Sequence, residues 1–142
     1  MPRLIHHIDA IARQKQRDVL FVTFTPVNYD RFGISGDSHY DYEDDPKREE
    51  VCTWLTEHHI GWEPCGHIAS ENLMCSYEGQ IYVDVPFDDD DQAYQLVRDY
   101  LEHPDGSMRT ESVVFWCLTL ERAMKNAHHD EPGFWERWAE TF

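Results

Sequence analysis

The stretch VLFVTFTP, residues 19–26, is an unbroken run of β-branched, aliphatic and aromatic side chains closed by a proline. It leaves no position for the polar residues of a solvated face, so it predicts a strand covered on both sides. VVFWCL, residues 113–118, has the same character and predicts a second such strand. Everything between these two runs has to be arranged around them.

Working outward, Asp45 is placed to cap a helix in which Pro46 takes the first turn and Glu49 and Glu50 meet the positive dipole end. Val51, Trp54, Leu55 and His58 form one face of that helix, and Gly61 follows it. From Trp62 to Phe87 the pattern is that of antiparallel strands, with turn signals at Ser70 to Asn72 and at Glu78-Gly79 and alternation at Ile81, Val83 and Val85. Ala93, Leu96, Val97, Tyr100 and Leu101 give a helical stripe that stops at His103-Pro104. Before the first strand, Leu4, Ile5, Ile8, Ile11 and Ala12 predict a helix over 3–16. After the last strand, 121–127 reads as a short helix, broken at 130–133.

Without the first helix and the tail, the order is strand, helix, strand pair, helix, strand. That predicts an α+β two-layer sandwich of ferredoxin-like, βαββαβ type: an antiparallel sheet with helices on one face, an extra N-terminal helix and an aromatic C-terminal helical tail. The turn at Glu78-Gly79 leaves one strand more than the simplest version needs, so a five-stranded variant stays open. The 142 residues suit one domain with a core over 3–127, and no repeat or Gly/Ser-rich linker divides them.

The net charge is −16, and residues 37–105 carry nineteen acidic against three basic side chains. Such a surface repels phosphate backbones and anionic lipid, which argues against ordinary nucleic-acid or membrane binding. It leaves a basic protein or a cationic small molecule as partner, or mimicry of nucleic acid toward a basic groove. Cys52, Cys65, Cys75 and Cys117 form no CxxC pair and lie mostly in apolar segments, which predicts reduced, buried thiols and a cytoplasmic setting. Neither a leader peptide nor a run of membrane-spanning length is expected.

The connection from Pro26 to Asp45 is the first place to look for chemistry, because compact domains seldom hold twenty residues without regular structure. Tyr29, Tyr40 and Tyr42 stand there among Asp37, Asp41, Glu43 and Asp44, and aromatics with acids suit a cation. The plain alternative is that the aromatics anchor the loop while the acids solvate it. Asp37, His39, Asp41 and Glu43 alternate and could ligate a metal, but Tyr42 and Arg48 occupy the sixth and twelfth positions where a calcium loop needs Gly and Glu. No metal or cofactor is assigned. Tyr29, His39, Tyr40, Asp41, Tyr42 and His67 are the expected ligand-binding residues.

Three adjacent histidine pairs, at 6–7, 58–59 and 128–129, are discounted because neighbouring helical residues point about 100° apart. Cys65 and His67 share one face of the expected strand, near Cys75 on the next, which admits a thiolate–base pair or simple packing. Asp88 to Asp91 read as a helix cap. Phe134, Trp135, Trp138 and Phe142 form an aromatic stripe, either packed on the chain itself or joining two copies as a homodimer. Gly-rich phosphate loops, GxSxG, HExxH and paired zinc spacings are missing. The leading expectation is therefore a non-catalytic binding or regulatory module. The alternatives are a small acid–base or metal-assisted enzyme using the 26–45 loop with His67, Glu63 or Asp84, and a nucleic-acid mimic.

Overall fold

The computed structural model describes residues 5–25, 41–72 and 76–141. In chain order these form α1 (Ile8–Lys15), β1 (Val19–Phe24), α2 (Pro46–Glu57), β2 (Trp62–Pro64), β3 (Ile81–Val83), α3 (Gln92–Leu101), β4 (Val113–Leu118), α4 (Leu120–Met124) and α5 (Phe134–Ala139), with 3-10 turns at Tyr42–Asp44 and Ala127–Asp130. The fold is α+β, with a four-stranded sheet in the order β2-β3-β1-β4 and every neighbouring pair antiparallel. The two unbroken apolar runs are neighbours in it: Val19 lies opposite Leu118 and Phe24 opposite Val113.

The helices begin where the caps require. Asp45 Oδ1 accepts from the Lys47 amide at 2.9 Å, with Pro46 in the first turn, and Asp91 Oδ1 accepts from the Tyr94 amide at 2.9 Å. The acidic run before α3 thus acts as a cap at its last member. His58 is the C-cap of α2, its ring nitrogen Nδ1 2.8 Å from the Trp54 carbonyl. The first helix starts at Ile8 rather than residue 3. The chain there first joins residue 66, with the Gly66 amide donating to His6 and the Ile8 amide to Gly66.

Alternation divides the core between two faces. On one, Leu20, Val22, Ile81 and Val83 meet Val51 and Leu55 of α2 and Val97 and Leu101 of α3. On the other, Val19, Phe21, Tyr82 and Leu118 meet Ile8, Ile11 and Ala12 of α1 and Ala123 of α4. Helices therefore cover both faces, which corrects the expectation of one. The physical reason lies in β1 and β3, whose odd and even positions are both apolar or aromatic, so each face needs a cover.

Among the described residues the cover of the second face is partial. β4, expected to be enclosed on both sides, is an edge strand whose Trp116 is 48% exposed and whose Cys117 is also exposed. Cys52 and Cys65 are buried thiols as expected, and Cys75 lies outside the described residues.

A polar network ties the second face together. Asp9, fully buried, accepts from the Ala69 amide at 3.1 Å, from Asn126 Nδ2 at 2.8 Å and from Arg13 Nη1 at 3.2 Å. Arg13 in turn donates from Nε and Nη2 to both oxygens of Asp130, at 2.7 and 2.9 Å, and from Nη1 to the Ala123 carbonyl at 3.0 Å. The Asp130 carboxylate is the main reason the Arg13 guanidinium holds its proton more tightly than usual. No described helix is long and apolar enough to cross a membrane.

Candidate functional site

The cap at Asp45 fixes the phase of α2, and that phase puts Glu49, Thr53 and Glu57 in line at four-residue spacing on the side away from the sheet. They form the floor of a groove of about 330 Å³. One lip is Tyr42. Asp41 Oδ1 accepts from the Glu43 amide at 3.0 Å and starts the 3-10 turn that presents this ring. Tyr42 meets Tyr77 edge-on, with ring centroids 4.9 Å apart. The other lip is Trp62 on β2, whose indole N–H donates to Thr56 Oγ1 at 3.0 Å.

Gly79 allows the first lip to sit where it does. Its φ is +91°, and a Cβ there would come within 2.4 Å of Tyr42 Cβ, so only glycine fits both backbone and neighbour. The Gly79 carbonyl accepts from Arg48 Nε at 2.7 Å, Arg48 Nη2 donates to the Tyr77 hydroxyl at 2.9 Å, and the guanidinium lies over the Tyr42 ring at 5.2 Å. Burial raises the Tyr77 hydroxyl's pKa, against the pull of Arg48.

The charge balance of the groove follows. Its lining contains Glu43, Asp45, Glu49 and Glu57, with Arg48 as the one basic residue. Arg48 is spent on a carbonyl, a hydroxyl and a ring. Glu43, Glu49 and Glu57 make no ion pair among the described residues. The result is a slot with an aromatic ring at either side and, between them, the carboxylates of Glu43, Glu49 and Glu57, which make no ion pair among the described residues.

A second concavity, of about 610 Å³, lies over the uncovered end of the other sheet face. Phe21 and Trp116 stack there at 6.1 Å with 17° between planes, and the Trp116 indole donates to Thr23 Oγ1 at 2.8 Å. His67, Glu78, Gln80 and Arg122 stand around this shelf. Desolvation lowers the pKa of His67 in spite of the nearby Glu78.

The expected site residues separate. Tyr29, His39, Tyr40 and Phe142 lie outside the described residues. Tyr42 lines the acidic groove and Asp41 caps the turn that carries it, whereas His67 faces the larger concavity. Glu63 and Asp84 line a third, smaller hollow with Tyr82 and Lys15, and Asp84 is tied to Arg17 at 2.7 Å and to the Tyr82 hydroxyl at 2.8 Å. Tyr82 itself is pushed up to about 12, chiefly by desolvation. His67 thus lines the larger concavity, while Glu63 and Asp84 line the smaller hollow. Cys65 is fully buried, and desolvation pushes its thiol up to about 12, so it stays protonated near neutrality and makes no nucleophile.

Phe134, Trp135 and Trp138 are half-buried on their own chain. The rings of Phe134 and Trp135 lie 4.8 and 4.7 Å from that of His129. The 128–129 pair, discounted on the angle between neighbouring helical residues, nevertheless converges through its side chains. Both histidines sit in a 3-10 turn, and the Nε2 of each reaches Glu71 Oε1 from the 69–72 segment, His129 at 2.9 Å and His128 in direct contact. Hydrogen bonds from His128 and then His129 hold the Glu71 carboxyl below its usual range. Of the groove residues, Glu49 and Glu57 could have been found from their spacing along α2, whereas nothing local in the sequence links Glu71 to residues 57 and 58 positions away.

No protein-family model matches the chain, and neither the curated proteins nor the solved structures contain a match to it.

Proposed function

We propose that the chain is a non-catalytic binding module that engages a basic peptide segment or cationic ligand in the groove between Tyr42 and Trp62. The observation that carries this reading is the groove's charge: Glu43, Glu49 and Glu57 face it with no ion pair among the described residues, while Arg48 is held by Gly79, Tyr77 and the Tyr42 ring. A lysine or arginine side chain entering the slot would find a carboxylate and an aromatic face together, the combination that binds cations best once water is partly displaced. Opposite charge also speeds encounter, which suits a chain of net charge −16.

The strand order and directions support a ferredoxin-like, split βαβ core for this module. β1 and β2 run the same way with β3 between them, β3 and β4 run the same way with β1 between them, and α2 and α3 make the two crossovers on one face. On that reading α1, α4 and the tail are additions to the opposite face. The acid–base enzyme reading draws less support, since His67 borders a different hollow from the one that Glu63 and Asp84 share. A second binding reading is favoured by one observation, the half-exposed Trp116 stacked on Phe21 in the larger concavity, which suits a small planar, partly apolar molecule.

The test is the affinity of a fluorescently labelled arginine-rich peptide at increasing salt. Binding should weaken steeply with salt, and the double reversal Glu49→Lys with Glu57→Lys should cost roughly tenfold or more in affinity. The matched reversal Asp89→Lys with Asp90→Lys, which changes net charge equally outside the groove, should cost much less. Equal losses from both pairs would reduce the effect to overall charge and sink the groove as a site.

A further inference from the structure

We propose that Glu71, His128 and His129 form a binding site for a divalent transition-metal ion of the zinc class. His129 Nε2 and Glu71 Oε1 are 2.9 Å apart, His128 Nε2 touches the same oxygen, and the three atoms all lie within 4.8 Å of one another. Ligands around a tetrahedral zinc with bonds of about 2.0–2.1 Å sit roughly 3.3 Å apart, so small side-chain rotations bring this set to bonding geometry. Two imidazole nitrogens and one carboxylate oxygen suit zinc, cobalt or nickel. They are too few oxygens for calcium or magnesium, and lack the thiolates that softer ions favour.

The surroundings are those of a fixed site rather than of side chains that happen to meet. His129 is 4% exposed and packs against the rings of Phe134 and Trp135, which also touch each other. The Trp138 indole donates to the Glu71 carbonyl at 2.5 Å, so the aromatic tail touches both segments that carry the cluster. Glu71 and His128 are exposed on the remaining side, where water or a further ligand can complete the coordination.

The two segments that carry the ligands are anchored to one buried pair. Asp9 holds the Ala69 amide two residues before Glu71 and the Asn126 side chain two residues before His128. Arg13, bonded to Asp9, grips Asp130 just after His129 with two hydrogen bonds. A buried ion pair therefore sets the spacing of Glu71 from the histidines, and holding ligands in place beforehand lowers the cost of binding. His129 Nδ1 has no hydrogen-bond partner among the described residues. The support usually given to a metal-bound imidazole is thus missing there, which points to micromolar rather than nanomolar affinity.

The competing account is a metal-free latch, with both imidazoles donating to Glu71 to hold the tail. Untagged protein, stripped with chelator, separates the two when titrated with zinc by calorimetry and with cobalt by visible absorption. We expect one equivalent bound, cobalt bands of a four- or five-coordinate site, and a melting temperature raised by saturating zinc. His128→Ala and Glu71→Gln alter exposed groups, and circular dichroism checks that both variants remain folded. Each should weaken zinc binding by about tenfold or more, while His58→Gln, in another histidine pair, should leave it unchanged. Failure to take up one equivalent, or uptake that neither His128→Ala nor Glu71→Gln weakens, would leave the latch and overturn the site.

Discussion

The two faces of the sheet are closed by different chemistry. Under α2 and α3 the contact is apolar throughout, Leu20, Val22, Ile81 and Val83 against Val51, Leu55, Val97 and Leu101. Under α1 and α4 an apolar patch is joined to the buried Asp9–Arg13 pair, and the cover stops short of Trp116. An apolar face holds its helices without directing what lies outside them, and here it leaves the outer side of α2 free to carry a row of carboxylates. A hydrogen-bonded face fixes particular backbone atoms, and this one fixes the two segments that bring Glu71 to His128 and His129.

The largest effect expected from breaking that contrast is at Asp9. Asp9→Ala strips Arg13 of one partner, leaves the buried Ala69 amide without its acceptor and removes the shorter of Asn126's two hydrogen bonds. It should cost roughly 3–5 kcal/mol in urea unfolding, and a loss below about 1 kcal/mol would mean the network contributes little. On the apolar face, Leu55→Ala should cost about 2–5 kcal/mol through lost burial and a residual cavity. Trp116→Ala, on the uncovered end of the polar face, should cost under about 1 kcal/mol. Were Trp116 as costly as Leu55, something would have to cover that end.

The smallest effect is at His67, whose pKa lies below the ordinary 6.5 because of desolvation. The unfolded chain therefore takes up this proton first as the pH falls through 6.5. The associated stability is fully present above 6.5 and is lost on acidification toward the folded-state pKa. His67→Asn should flatten that part of the stability-versus-pH curve, and an unchanged slope would assign the slope to other groups.

Much of the fold was legible, and the reasons are local. VLFVTF and VVFWCL are strands because runs so short and so rich in β-branched and aromatic residues favour extended backbone, and Asp45-Pro46 and Asp91 mark helix starts through hydrogen bonds to amides two or three residues away. The groove was half legible: Asp41 and Tyr42 came from the acidic loop, but Trp62 joins them only through the packing of β2 beside α2. The polar face was not legible. Asp9 and Arg13 look like ordinary surface charges at helical spacing, and their partners stand 60 to 117 residues away. Helical geometry separates the backbones of His128 and His129, yet both rings reach one Glu71 oxygen, a partner that nothing local in the sequence announces.

The central claim is that the negative charge acts at one groove rather than everywhere, and amide NMR with an arginine-rich peptide tests it most directly. The account predicts saturable shifts concentrated at Glu49, Thr53, Glu57 and the Trp62 indole, with Asp88 to Asp91 little changed. Shifts spread evenly over both acidic regions, or stronger at Asp88 to Asp91, would contradict it.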